Sequence, residues 1–255
     1  MKKFDVAALG ELLIDFTENG ISTQGNLIFE ANPGGAPCNV PAMLQKLGKK
    51  TAFIGKVGSD MFGSQLTETV KAAGIDVTGL VSDKSASTTM AFVHTLPDGD
   101  REFSFVRDPG ADMMLRKDEI DADIVSSAKI FHFGTLSSTH DGVREATRYA
   151  IDIAKESDAL ISFDPNLRPP LWESLDDAKK EIEYGLSKCD ILKISDNEIE
   201  FMTGSTDYDK AVRGLMEKYN VMLAFANAAA AIITTRRGAL KVMPEKEEIL
   251  DLLRR

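Results

Sequence analysis

Cysteine, histidine and tryptophan are scarce in this chain: 255 residues hold two, three and one of them. Cys38 and Cys189 are too few for a disulfide framework, which points to a reducing, cytoplasmic compartment. His94, His132 and His140 share no metal-ligand spacing with one another or with the cysteines, and are read as structural. Long apolar runs are also missing, since the longest, Met222 to Ile233, is Ala-rich and well short of the ~20 residues that cross a bilayer. No charged start leads into an apolar signal segment, because Met1-Lys2-Lys3 runs straight into a strand-like stretch. Positive charge is in deficit: 30 Lys and Arg against 40 Asp and Glu leave a net −10, which argues against nucleic acid or an anionic membrane as partner. Apolar residues are plentiful at 43%, enough to fill a core and to exclude a disordered or fibrous chain.

The pattern along the chain opens with a buried strand, Phe4 to Leu9, closed by Gly10. Leu12 to Phe16 and Leu27 to Ala31 read as two strands able to pair as a hairpin across a polar loop. A helix follows over Pro37 to Leu47, with Val40, Met43, Leu44 and Leu47 on one face and Gly48 as its stop, and then a strand over Thr51 to Val57. Thr88 to Leu96 and Arg101 to Val106 form a second hairpin around Pro97-Asp98-Gly99-Asp100. Beyond it strands and helices alternate: Lys129 to Phe133, Asp141 to Glu156, Ala159 to Phe163, Asp176 to Leu186, Asp190 to Ile194 and Asp196 to Met202. Such alternation predicts parallel βαβ units, hence a doubly wound, mainly parallel α/β sheet flanked by helices. The expected core is 1–10, 34–87 and 108–255, and the two hairpins, 11–33 and 88–107, would form a small β-sheet lid over one end. One place breaks the pattern: after the amphipathic helix Asp209 to Tyr219, helix is expected to meet helix near Val221, with a short strand inside Val221 to Phe225 as the alternative.

The densest cluster of chemistry is Gly34-Gly35-Ala36-Pro37-Cys38-Asn39 at a helix entrance. Glycines there bring backbone N–H groups close to a ligand and Asn39 adds a donor and an acceptor, a set suited to hydroxyl or phosphate oxygens. A plain tight turn uses the same residues. Gly48-Lys49-Lys50-Thr51 is no P-loop, because Met43 stands where its first glycine belongs, and Gly55, Gly58 and Gly63 miss the dinucleotide spacing. Asp164-Pro165-Asn166-Leu167-Arg168 lies just past a parallel strand, at the edge where open α/β sheets bind ligands, and Arg168 suits a phosphate. Asn197-Glu198-Ile199-Glu200 occupies the matching place one strand on, where a carboxylate could hold a magnesium ion or its waters. Arg107 closes the second hairpin and could reach a ligand beneath the lid.

Together these residues resemble the ribokinase-like carbohydrate kinases of the PfkB type, most closely the bacterial fructokinases. The match runs through Gly10 to Phe16, Gly34 to Asn39 with Gly48 and Gly58, Val57 to Gly63, Arg107 to Asp112, Asp164 to Arg168 with Leu171-Trp172, Asn197 to Glu200 and Phe225 to Gly238, departing at Pro41, where a small residue is usual. The resemblance implies an ATP- and Mg2+-dependent phosphotransferase, with K+ as a further candidate cofactor. It would move the γ-phosphoryl group to a primary hydroxyl of a sugar, fructose first and 2-keto-3-deoxygluconate as an alternative. It also implies that Asp15, Gly34, Gly35 and Asn39 bind sugar hydroxyls and that Arg107 reaches the sugar from the lid. Arg168 would steady phosphoryl groups, Asn197 and Asn227 would lie on the nucleotide side, and Glu200 would act on the metal through water. A homodimer through the lid is a fold-level expectation.

One departure is large. The family's second signature, Asp-Thr-Thr-Gly-Ala-Gly-Asp, whose last residue is the base for the sugar hydroxyl, does not occur in the sequence. Gly110-Ala111-Asp112 is no substitute, because it directly follows the lid hairpin and Arg107. The gap is expected at 221/222, through a deletion or through residues between Val221 and Met222 that this sequence does not carry. A catalytically impaired sugar-binding relative is therefore the alternative reading.

Overall fold

The computed structural model describes residues 2–95, 101–219 and 221–223. From β1 (Phe4–Leu9) the chain passes into β2 (Leu13–Ile21) and β3 (Leu27–Gly34), then through α1 (Ala36–Lys46), β4 (Thr51–Gly58), α2 (Met61–Ala72) and β5 (Asp76–Asp83). A second excursion, β6 (Met90–Thr95) and β7 (Arg101–Val106), precedes α3 (Ala122–Ser126), β8 (Ala128–Gly134), α4 (Asp141–Glu156) and β9 (Leu160–Asp164). Then come α5 (Leu175–Lys188), β10 (Ile191–Leu192), α6 (Asp196–Thr203), α7 (Tyr208–Tyr219) and β11 (Met222–Leu223).

Seven of these strands form one sheet in the order β11-β10-β9-β8-β1-β4-β5, and every pairing in it is parallel. Strand periodicity sorts its side chains into two cores. Ala7, Leu9, Ala52 and Ile54 pack with Phe131, Phe133, Phe163 and the helices α4 and α5, whereas Ala8, Phe53 and Val57 pack with Cys38, Leu66 and Val70 of α1 and α2. Helices therefore cover both faces, as a sheet buried on both sides requires. α4 has the clearest helical signal: Val143, Ala146, Thr147, Ala150, Ile151 and Ala154 are buried at spacings of three and four.

The other four strands form a mixed sheet, β3-β2-β6-β7. Both expected hairpins are antiparallel pairs, and β2 runs parallel to β6, which joins them into one sheet. Phe16 and Phe92 stack at 5.0 Å, and Phe62 of α2 meets Phe16 edge-on at 5.6 Å, so this aromatic cluster fastens the small sheet to the core.

At one point the expected topology is corrected. A strand does follow α7: Met222–Leu223 pairs in parallel with Ile191–Leu192, and Val221 before it is buried. The free edge of β10 offers unpaired backbone groups there, and a two-residue strand satisfies them better than a second helix would. Asn227 and the Phe225 to Gly238 match lie outside the described residues.

Candidate functional site

The sheet order reverses at β1, which has β4 on one side and β8 on the other. In open parallel sheets the crevice beyond the strand ends at such a reversal is the place for a ligand. The chain leaves the core there at Gly10-Glu11-Leu12 and returns there at Gly34-Gly35, so both ends of the first excursion meet at the crevice.

Gly35 caps α1 at φ 124, in the region that favours glycine, and a Cβ on it would strike the carbonyl oxygen of Glu11. Gly34 is glycine for a different reason: a Cβ there would overlap the Asp15 carboxylate, which lies against it across the β2–β3 ladder. The next backbone N–H, that of Ala36, donates to Glu11 Oε1 at 3.0 Å. Asn39, at the start of the same helix, keeps its Oδ1 buried with no partner. The fold thus sets Asp15 against Gly34 and makes Gly35 the cap of the helix that carries Asn39, and adds Glu11, which nothing in the sequence pattern singles out.

Arg107 is held more firmly than a free lid arginine would be. Its Nε and Nη2 donate to Asp112 Oδ2 at 2.9 and 2.6 Å, and both side chains are only 3% exposed. Further bonds go to Thr139 Oγ1 at 2.8 Å and the Leu136 carbonyl at 3.0 Å. The residue still borders an open cleft of about 460 Å3, shared with Phe103, Phe105, Asp108 and Leu171.

On the far side of the crevice, β9 ends at Asp164. Burial pushes its carboxyl up to about 6, with Lys193 pulling against that rise and Glu198 adding to it. Lys193 Nζ and the Asn166 N–H both donate to Asp164 Oδ1, each at 3.1 Å. Arg168 donates from Nη1 to the Leu167 carbonyl and sits 5.3 Å over the ring of Phe103, so it spans from the core loop to strand β7 of the small sheet. Asn197 and Glu200 lie exposed on α6. The buried acid of that motif is Glu198, which accepts from the N–H groups of Leu167 and Ser195 at 2.8 Å each and so ties the Asp164 loop to the helix start. The Ser195-x-x-Glu198 capping box was the signal available for it.

Glu11, Ala36, Pro37, His132, Thr135, Asp164 and Asn166 enclose a tight internal cavity that links the glycine turn to the Asp164 loop. Burial pushes His132 down to about 4, so its ring is neutral, and Nδ1 lies 3.0 Å from Ser162 Oγ. Among the described residues no group of three or more His, Cys, Asp or Glu could hold a metal ion. The described residues thus offer a cation isolated carboxylates rather than a ligand cage.

A family model described as pfkB family carbohydrate kinase matches residues 3–222. The chain belongs to that family. "Probable fructokinase-2" of Arabidopsis thaliana is 36% identical over 314 aligned positions that take in 98% of this chain and 95% of the relative. "Fructokinase-2" of Solanum lycopersicum is 45% identical over 206 positions, covering 80% of this chain and 63% of the relative. Among solved structures, a fructokinase with bound ATP from Xylella fastidiosa superposes with a TM-score of 0.85 at 26% identity, covering 100% of this chain and 99% of the other. The doubly wound sheet with its small second sheet is thus the architecture of the pfkB sugar kinases. Among the described residues no helix is long and apolar enough to cross a membrane.

Proposed function

We propose that this chain carries the sugar-binding framework of an ATP-dependent fructokinase, with Asp15, Gly34, Gly35 and Asn39 receiving the hydroxyls of fructose. The observation that carries the reading is the glycine turn at the sheet reversal, where the backbone is bare and the unpartnered Oδ1 of Asn39 faces no protein donor. The names of the similar fructokinases support fructose as the acceptor, and the ATP in the Xylella fastidiosa structure supports the donor. In the reaction the primary hydroxyl oxygen attacks the γ-phosphorus as the bond to the ADP oxygen breaks, and the hydroxyl proton passes to a base. Arg168 and Asn197 would face the polyphosphate, and Mg2+ when bound would offset its charge, with K+ as a second candidate cation. The four-stranded sheet would serve as the lid. Exposed Ile21, Leu27, Ile28 and Val106 on its strands support a homodimer through that sheet, and the two free cysteines support a reducing, cytoplasmic setting.

A second reading has its own observation. The base and its glycine-rich helix start are absent from the sequence. In addition, 98% of 255 residues is about 250, so about 64 of the 314 aligned positions in the Arabidopsis relative face no residue of this chain. We place that gap at 221/222, where the family match ends. With β11 following α7 directly, the gap rests on alignment length and the absent signature, no longer on a missing strand. A chain of this length would bind fructose and turn over slower than a complete enzyme by about 10²–10⁴ for the base alone. Fructose calorimetry, a coupled ADP assay and an intact mass test both readings. Binding with almost no turnover at a mass near 27.8 kDa supports the gapped form, brisk turnover at that mass overturns it, and no fructose binding overturns the sugar assignment.

A further inference from the structure

Glu11 grips the glycine turn twice. Its carbonyl oxygen lies where a Cβ on Gly35 would fall, and its side-chain Oε1 accepts the Ala36 N–H at 3.0 Å. The residue is 2% exposed, and its second oxygen, Oε2, is buried with no partner. A buried acceptor without a donor is unfavourable, more so if charged, and a glutamine would have served the Ala36 N–H without an ionisable group. Glu11 also lines the narrow cavity shared with His132, Thr135, Asp164 and Asn166, between the sugar cradle and the Asp164 loop.

We propose that Glu11 is a positioning residue for the sugar: its ionised carboxylate holds the Ala36 N–H, and through it Gly34 and Gly35, in the geometry that presents the cradle, and protonation loosens that hold. The inference rests on the sugar-kinase reading above. Burial pushes the Glu11 carboxyl up to about 7, Asp112 adding to the rise and Arg107 opposing it, so the change of state falls near neutral pH. The other titratable groups facing it are Asp164, which burial raises to about 6, His132, which burial lowers to about 4, and Cys38, whose thiol burial keeps neutral; Glu11→Gln leaves all three in place and so separates their contribution from that of Glu11.

The test is the fructose dissociation constant by calorimetry from about pH 5.5 to about pH 8.5 for the unchanged chain, Glu11→Gln and Glu11→Ala. Trading a charge-assisted hydrogen bond for a neutral one predicts an affinity about five-fold weaker at the acid end for the unchanged chain. Glu11→Gln is expected to bind like the acid form at every pH, and Glu11→Ala to be weaker still. A purely structural role would move the melting temperature and leave the pH profile in place. Should Glu11→Ala fail to fold, the near-isosteric Glu11→Gln carries the test. Fructose binding by Glu11→Gln with the parent's affinity and pH profile overturns this inference alone. Absence of fructose binding by the unchanged chain overturns the sugar reading and this assignment with it.

Discussion

The buried pair Arg107–Asp112 allows a sharp thermodynamic test. Two guanidinium nitrogens share one carboxylate oxygen at 2.6 and 2.9 Å, and both side chains are 3% exposed. The other carboxylate oxygen accepts the Thr89 hydroxyl, while Arg107 also binds Thr139 and the Leu136 carbonyl. The pair therefore joins the residue after β7, the entry to β6 and the turn before α4. Replacing Asp112 with leucine strands a buried guanidinium, and replacing Arg107 with methionine strands a buried carboxylate, each expected to lower stability by about 3–5 kcal/mol. The double replacement leaves neither charge behind, so its loss should be far less than the sum, with a coupling of about 3 kcal/mol. Urea melts of the four chains, followed by circular dichroism and by the fluorescence of Trp172, give the cycle. Added salt should change the coupling little, because ions do not reach a pair this buried. Single replacements that each lose under about 1 kcal/mol, or losses that simply add, would refute the buried-pair reasoning.

Three further outcomes are expected. Gly34→Ala places a Cβ on the Asp15 carboxylate and should weaken fructose binding at least about ten-fold, with a melting temperature near the parent's, as read by calorimetry; unchanged affinity would remove Asp15 and Gly34 from the cradle. Asp60 caps α2 through the Gly63 N–H at 2.8 Å and also accepts from the Thr88 N–H and hydroxyl, each at 2.8 Å, so Asp60→Ala should lose about 2–3 kcal/mol in a urea melt. His132 titrates near 4 in the fold against 6.5 unfolded, so between those values the unfolded chain binds more protons and stability falls as pH falls. That contribution approaches 3 kcal/mol by pH 4. The stability difference between His132→Gln and the parent should show that slope, and a flat difference would mean the imidazole is not buried neutral.

What the sequence made legible follows from how local each signal is. α4 was readable to its last residue because six buried positions recur at helical spacing. α2 and β5 were not, since α2 buries only Gly63, Leu66 and Val70, too thin a stripe to stand out, and β5 buries only Gly79 and Asp83 of its eight residues. The strand after α7 stands in the sequence only as the alternative to a second helix, for the same reason: Val221 to Phe225 is apolar without a period, and the open edge of β10 decides for the strand at Met222–Leu223. The site divides along the same line. Gly34, Gly35 and Asn39 announce themselves because a bare turn into a helix is a local feature. Glu11 meets Ala36 across 25 residues and Asp112 meets Thr89 across 23, so their roles exist only after the excursions close. Their burial has a common logic: Glu11 stands where the first excursion leaves the core and Asp112 just after the second rejoins it, and backbone and side-chain donors gathered at such junctions need acceptors away from water. A carboxylate meets that need best and is the most sensitive to losing its charge. The acids hidden at these two junctions are thus the fasteners of the small sheet, and Glu11, which burial pushes up to about 7, is the point through which its setting can respond to pH.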